Sequence, residues 1–296
     1  MSTQITPIFS GGVGRSGTTI VGRILRKHSQ VFAGSPFEIK FITESNGLID
    51  LVFGIRDFCP TQITRNGYIL SKLSKVDSTK IRYLKFKRRI ENDWWIRTNR
   101  LGQESGLHRA MGKAKLNKLL KELENSLDNP LEAARQFTFG YVENHRKWDG
   151  QPYWMDTSPP NIMYSDSIYK IFPEARFLEM RRDPLDNLSS VLKEPWGPND
   201  PKKAVIWWRD RVELATKALK TFPAESSLTL QLEDLVRDKR SESYQRILDL
   251  IGIKDEPAMR EYFDNEVTFE RAHIGRWKHD FADPAAFEEL FNRFSK

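Results

Sequence analysis

The sequence predicts an α/β protein: a mostly parallel sheet flanked by helices, with a largely helical insert after the second strand. Three observations carry this. Short apolar runs at Pro7-Ile8-Phe9, Val31-Phe32-Ala33, Ala175 to Met180 and Ser227 to Leu232 alternate with stretches of helical periodicity. A glycine-rich turn joins the first strand to the first helix. From about Thr43 to Trp148, helix-forming stretches dominate. Strands alternating with helices imply a sheet covered on both faces.

The elements follow in order. From Thr18, the residues Ile20, Val21, Ile24 and Leu25 share one helical face and Arg23, Arg26 and Lys27 face out. The second strand ends at Gly34-Ser35-Pro36. Within the insert, Lys113 to Leu127 and Leu131 to Val142 read as helices. The α/β pattern is expected to resume at Asn161, with a helix from Ile162 to Phe172. Asp183-Pro184 then reads as an N-cap followed by proline at the first helical position, opening a helix to about Lys193. Ala204 to Leu219 and Ser241 to Leu250 complete the helices. The reading is of one domain over residues 1–296, with the insert at about 43–150 as a cap over a binding face.

Composition narrows the class. The chain has 296 residues, 39% hydrophobic and 29% charged, an ordinary globular balance. No window approaches the roughly 18 uninterrupted apolar residues of a membrane span. The start MSTQITPIF lacks the basic and apolar segments of a signal peptide. A single cysteine, Cys59, excludes an internal disulfide and suits a reducing compartment, so a cytoplasmic location is expected. The formal charge of +7 favours anionic partners in general. The five histidines and one cysteine show no metal-ligand spacing.

The glycine turn reads in two frames. Gly12-Val13-Gly14-Arg15-Ser16-Gly17 satisfies G-x-G-x-x-G, while Gly12 to Thr19 approximates G-x-x-x-x-G-K-[ST] with Thr18 in the lysine position. Either way, a loop that leaves a strand and opens a helix offers free backbone N–H groups and the positive end of a helix dipole. Ser16, Thr18 and Thr19 add hydroxyls, and Arg15 adds a fork suited to two phosphate or sulfate oxygens. Thr18 in place of lysine, and a later strand ending in Met180-Arg181-Arg182 rather than an acid, disfavour ATP or GTP hydrolysis. Glu38 stands at the spacing of a dinucleotide-binding acid, but Ser35-Pro36 separates it from its strand.

Two further clusters matter. RRDPLDNLSSVL puts Arg182 at the carboxyl end of a strand and Ser190 about two turns into the next helix. That is the edge where open α/β sheets take ligands. Near the C-terminus, Glu270-Arg271-Ala272-His273-Ile274-Gly275-Arg276-Trp277-Lys278 sets cations around a glycine and a tryptophan. Together the three segments describe one ligand with anionic groups at two separated points.

This combination resembles the sulfotransferases that use 3′-phosphoadenosine-5′-phosphosulfate (PAPS), including bacterial, heparan-type and tyrosylprotein members. Arg15-Ser16-Gly17-Thr18-Thr19 is similar to their 5′-phosphosulfate loop. Arg182 through Ser190 is similar to their 3′-phosphate motif, and Gly275-Arg276-Trp277-Lys278 to their late cofactor loop. The resemblance spans Phe9 to Lys278, though the insert carries none of it. It implies a P-loop-type fold and a cofactor site of Gly14, Arg15, Ser16, Gly17, Thr18, Thr19, Arg182, Ser190, Arg271, Gly275, Arg276, Trp277 and Lys278. Glu38-Ile39-Lys40-Phe41-Ile42 is similar to the segment whose glutamate deprotonates the acceptor hydroxyl, so Glu38 and Arg15 are the implied catalytic pair. The product would be adenosine 3′,5′-bisphosphate, with no metal required. Many relatives carry lysine where Arg15 stands. Arginine stabilises a leaving oxygen but does not readily protonate it.

Two other classes stay open. One is an NAD(P)-binding oxidoreductase using the literal G-x-G-x-x-G. The other is a non-catalytic nucleic-acid or membrane-surface module, because Arg82 to Arg100 interleaves cations with Tyr83, Phe86, Trp94 and Trp95. An amphipathic helix within the insert is the preferred reading of that stretch, so nucleic acid is not the expected partner. The expected partner is a hydroxyl-bearing acceptor that can be anionic, with peripheral membrane contact left open. Residue types do not distinguish sugar, lipid, phenol or peptide.

Overall fold

A computed structural model describes residues 5–54, 77–98, 102 and 104–295. Cys59, Arg100 and part of the insert lie outside the described residues. Among those described, strands β1 (Thr6–Gly12), β2 (Val31–Phe32), β5 (Tyr153–Asp156), β6 (Arg176–Arg181) and β7 (Ser227–Gln231) form one sheet in the order β2-β5-β1-β6-β7. β1 pairs with β6, β6 with β7 and β2 with β5, all in parallel. A short antiparallel ribbon, β3 (Arg97–Thr98) with β4 (Glu104–Ser105), lies within the insert.

The helices used below are α1 (Thr18–Leu25), α2 (Thr79–Arg89), α3 (Lys113–Asn125), α4 (Pro130–Glu143), α5 (Ser165–Ile171), α6 (Pro184–Leu192), α7 (Pro201–Leu219), α8 (Arg240–Ile251) and α9 (Pro284–Phe294). The α/β class and the helical insert expected from the sequence are therefore present.

The chain divides into two compact units. The first comprises Met1–Pro7, Gln30–Ser158 and Ser167–Pro173. Its core is aromatic: Phe41 meets Phe137 and Tyr141 edge-on at ring separations of 5.5 and 5.1 Å, and Phe86 meets Phe137 at 5.4 Å. Helices α3 and α4 approach closely at Gly140, where a Cβ would stand 2.6 Å from Leu119 Cδ2. Of the stretch 82–100, the described residues 82–98 do not form one helix. Helix α2, N-capped by Ser78, gives way to a wider turn over Ile90–Trp94 and then to β3. Its cations are partly neutralised, as Arg82 pairs with Asp77 and Arg89 with Asp93.

The second unit comprises Ile8–Ser29, Pro159–Asp166 and Glu174–Lys296. Phe9 stacks on Phe177 across the β1–β6 pair at 5.8 Å, and Phe177 continues to Phe222 at 4.8 Å. A second cluster gathers Leu185, Leu188, Ala204, Val205, Trp277 and Phe287 between α6, α7 and α9. Asp183 caps α6, its carboxylate accepting from the N–H groups of Leu185 and Asp186 at 3.0 Å each. Asp200 likewise caps α7.

Two expectations need correction. The α/β pattern resumes before Asn161, because Tyr153–Asp156 is the strand β5. Its four residues carry no alternation and end in an acid, so periodicity gave no signal. The helix read from Ile162 to Phe172 is shorter, α5, preceded by a tight 3₁₀ turn over Pro159–Asn161. The turn continues over residues 162–164, so the helix begins only at Ser165.

Candidate active site

In the second unit the loop from Gly12 to Thr18 is shaped by its glycines. A Cβ on Gly12 would stand 2.4 Å from both Met180 O and Ser16 Oγ, so no larger residue fits. Gly14 and Gly17 take φ of +86° and +98°, and Arg15 between them takes +60°. Successive left-handed residues turn backbone N–H groups to one side, the concavity that receives anions. Gly17 is the N-cap of α1 and supplies no side-chain cap, and the first turn carries no acid. The positive end of that helix is thus without an internal counter-charge.

The same loop holds a polar atom with no partner. Ser16 is 1% exposed, and its Oγ has no hydrogen-bond partner. An unsatisfied buried hydroxyl costs about 1–3 kcal/mol, a cost relieved by a ligand oxygen. Thr18 is buried and Thr19 exposed at the start of the helix.

Side chains from α6 and the end of β6 converge on this loop. Asn187 Nδ2 donates to Gly14 O at 2.7 Å. Arg15 Nε donates to Ser190 Oγ at 2.9 Å and lies 3.7 Å from Glu194 Oε1. Arg182 donates to Arg15 O at 3.4 Å and, from its other nitrogen, to Ala272 O and His273 O at 3.3 and 2.9 Å. Burial works against the charge of Arg182, and the carboxylates of Asp186 and Glu233 oppose that effect. Arg15, Ser16, Arg182 and Ser190, four of the residues expected from the sequence, are therefore neighbours.

The late loop is anchored rather than free. Asp186, 2% exposed, accepts from the N–H groups of Gly275 at 2.6 Å and Trp277 at 3.0 Å. The Trp277 ring is buried in the cluster around Leu188 and Phe287, so it fixes the loop. Arg271 is exposed and engaged by Glu266, Arg276 is exposed and pairs with Asp280, and Lys278 lies over the Trp277 ring at 5.8 Å. The structure thus brings the backbone of this loop to Arg182, while these three cations are engaged elsewhere.

A cavity of about 370 Å³ opens at the carboxyl ends of β6 and β7. Ser16, Arg181, Arg182, Asn187, Trp208 and Glu233 are among its walls. This volume lies within the range of small-ligand sites. Arg181 is held by Glu179 at 3.0 Å and donates to Thr216 Oγ1 at 3.0 Å. Asp186, Asn187 and Trp208 were not singled out from the sequence. Asp186 and Asn187, the third and fourth residues after the Asp183 cap, are polar yet buried in the structure.

Glu38 belongs to the first unit, six residues beyond the end of β2 and just after the Ser35–Pro36 bond, which is cis. It is half-buried, and burial raises its pKa above the usual carboxylate range; the cations Lys40 and Arg97 pull it back, and Glu44 adds to the rise. Lys40 itself has φ +61° and pairs with Glu44 at 3.7 Å. A carboxylate with a raised pKa is a stronger proton acceptor. His28, just past the end of α1, is buried and its Nε2 meets Lys254 O at 2.9 Å. Among the described residues no group of three or more His, Cys, Asp or Glu could hold a metal ion, and no helix is long and apolar enough to cross a membrane.

This is an α/β fold with an anion-shaped loop at the strand ends. The chain belongs to the sulfotransferase family, whose model matches residues 69–257. The matched span includes Arg182 and Ser190, but not Arg15, Glu38 or Gly275. Two solved structures share the fold. A sulfotransferase domain from the curacin biosynthetic pathway is 14% identical, with 99% of this chain and 91% of that one covered and a TM-score of 0.50. Sulfotransferase STF1 from Mycobacterium tuberculosis H37Rv is 11% identical, with 98% and 77% covered and a TM-score of 0.50. No curated protein matches the chain. Family and fold together support a sulfotransferase enzyme and set aside the oxidoreductase alternative.

Proposed function

We propose that this enzyme takes its sulfuryl group from PAPS and delivers it to an acceptor hydroxyl, with Glu38 as general base. The observation that carries the donor assignment is the buried, partnerless Ser16 hydroxyl beside an uncapped helix start, with Arg15, Ser190 and Arg182 at the same loop. Loop amides, Ser16, Thr18, Thr19 and Arg15 would hold the 5′ end. Arg182 and Ser190, beside the turn at Gly275 that Asp186 holds in place, would hold the 3′-phosphate. When bound, the donor supplies an activated sulfuryl group on a phosphate leaving oxygen.

The chain's own contribution is positioning and charge stabilisation. Arg15 and the loop N–H groups would stabilise the charge developing on the leaving oxygen. Glu38 takes the acceptor's hydroxyl proton, for which its raised pKa suits it. Lys40 and Arg97 act on Glu38 electrostatically and make an anionic acceptor compatible with its surroundings. The acceptor is a hydroxyl compound whose class the residues do not single out, and a location in the cytoplasm is part of this reading.

Calorimetric titration with adenosine 3′,5′-bisphosphate tests the donor assignment, with ATP and NADP⁺ as controls and no added metal. Wild type should bind the bisphosphate in preference to both. Ser190→Ala and Arg182→Ala should each weaken binding at least about ten-fold, the scale of one charge-assisted hydrogen bond. Ser190→Ala keeps the Arg182 contacts to the late loop and so separates ligand contact from loop folding. No bisphosphate binding to folded wild type would end the PAPS reading.

A further inference from the structure

The turn that follows α6 is a fixed piece of the donor-loop surroundings. Its backbone closes on itself, since Glu194 N–H donates to Val191 O at 2.9 Å and Gly197 N–H to Glu194 O at 3.0 Å. A Cβ on Gly197 would stand 2.3 Å from Val191 O, so the close turn requires glycine. Trp196 lies against Gly14, where a Cβ would meet its ring at 3.2 Å, and it packs against Trp207 at 6.1 Å. The turn is thus seated on the donor loop, and it delivers the Glu194 carboxylate to 3.7 Å from Arg15 Nε.

An exposed ion pair between two freely moving side chains contributes little, because both must be ordered to form it. Here one partner is pre-placed. The Glu194 side chain is 20% exposed and Arg15 is 50% exposed, so the arginine is the more solvated member. Arg15 is also the only cation of the loop itself from Gly12 to Thr19. A carboxylate held beside it opposes any anion that arrives there.

We infer that Glu194 is a built-in competitor for Arg15, a pre-placed counter-charge that lowers the affinity of the donor loop for anions. This rests on the PAPS reading for the identity of the anion, but not for the competition. Binding exchanges the Arg15–Glu194 contact for an Arg15–ligand contact, and product departure restores it. The carboxylate therefore limits how tightly a bisphosphate product is retained.

The test is a double-mutant cycle read by calorimetry, using adenosine 3′,5′-bisphosphate and inorganic pyrophosphate as separate probes. Glu194→Gln keeps the shape of the turn and should tighten binding about three-fold at low salt, the scale of an exposed pair. At about 1 M salt the gain should vanish. In the Arg15→Ala background the same substitution should tighten binding less, because only the direct repulsion of the anion is then relieved, and the difference between the two backgrounds isolates the coupling. Glu288→Gln, an exposed carboxylate on α9, removes the same net charge and should leave affinity unaltered. Unchanged or weaker binding in Glu194→Gln, or equal tightening in Glu288→Gln, would overturn the inference. If pyrophosphate binds and the bisphosphate does not, the PAPS reading fails and the inference is decided on pyrophosphate. If neither binds, the loop is no anion site and both fall.

Discussion

Asp156 Oδ1 accepts the backbone N–H of Ile39 at 3.1 Å, and the next residue, Thr157, donates from both N–H and Oγ1 to Phe37 O at 3.1 and 3.2 Å. The end of β5 therefore grips the chain on either side of Glu38. Asp156 is fully buried and also accepts from Ser158 Oγ at 3.0 Å. It sets the backbone from which the proposed base projects.

Removing that grip should cost catalysis while sparing the donor site. Asp156→Ala leaves a buried N–H unsatisfied, destabilising the fold by about 1–3 kcal/mol. Sulfuryl transfer to an acceptor found in a hydroxyl-compound screen should fall at least about ten-fold in kcat, with bisphosphate affinity within about two-fold of wild type. Asp156→Asn keeps an acceptor oxygen and should recover most of the rate. A merely structural Asp156 would lower both quantities together, and calorimetry beside kinetics separates the cases.

Glu38 sets the acid limb of the pH profile. It must be ionised to accept a proton, so kcat/KM rises as pH passes through its pKa in the free enzyme. Burial raises that pKa, and the limb should lie above the ordinary carboxylate range. Lys40→Ala removes a cation that favours the ionised form, so the pKa rises further and the limb moves to higher pH. A limb that stays in place or moves to lower pH would contradict the assignment.

The same burial has a stability consequence of opposite benefit. A carboxyl whose folded pKa lies above its unfolded value contributes stability below the unfolded pKa, and that contribution is lost as pH rises through the folded pKa. Glu38→Gln removes the ionisable group and should be more stable than wild type at neutral pH by thermal unfolding. It should also lose activity by roughly a hundred- to ten-thousand-fold. Gain of stability with loss of rate is the pattern of a strained functional residue. Equal stability at neutral pH would argue that Glu38 carries no burial cost.

Which parts of this were legible in the sequence follows from how local their causes are. The glycine loop, the Asp183 cap with Pro184, and the Arg182 to Ser190 spacing are local patterns, and the structure keeps all three. Strand β5 was missed because YWMD is four residues without period, and its strand character comes from pairing with β2. Asp186 and Asn187 read as polar residues of an ordinary helix. Their roles are set by residues 173 positions earlier, for Asn187 and Gly14, and 89 positions later, for Asp186 and Gly275. Trp277 was read as part of a basic cofactor loop, but its burial depends on α6, α7 and α9 meeting beneath it. Tertiary contacts of this separation leave no periodic trace.

Asp186 offers the sharpest test of that distant coupling. One carboxylate accepts two backbone N–H groups, from Gly275 and Trp277, and Arg182 Nη2 lies 3.9 Å away. Replacing it with alanine leaves two amides without partners and takes a counter-charge from the half-buried Arg182. The amides alone cost about 1–3 kcal/mol each, and part of that is recovered if the turn opens to water. Opening the turn would withdraw the 272–277 backbone from Arg182. Asp186→Ala should therefore lower the thermal midpoint and weaken bisphosphate binding about ten-fold or more. Protease nicking near residue 275 should rise, and added bisphosphate should reverse it, because ligand binding favours the closed turn. Asp186→Asn retains one acceptor oxygen and should fall between alanine and wild type in all three measurements. An alanine variant that binds normally and resists nicking would show that the buried Trp277 ring, not Asp186, holds the loop.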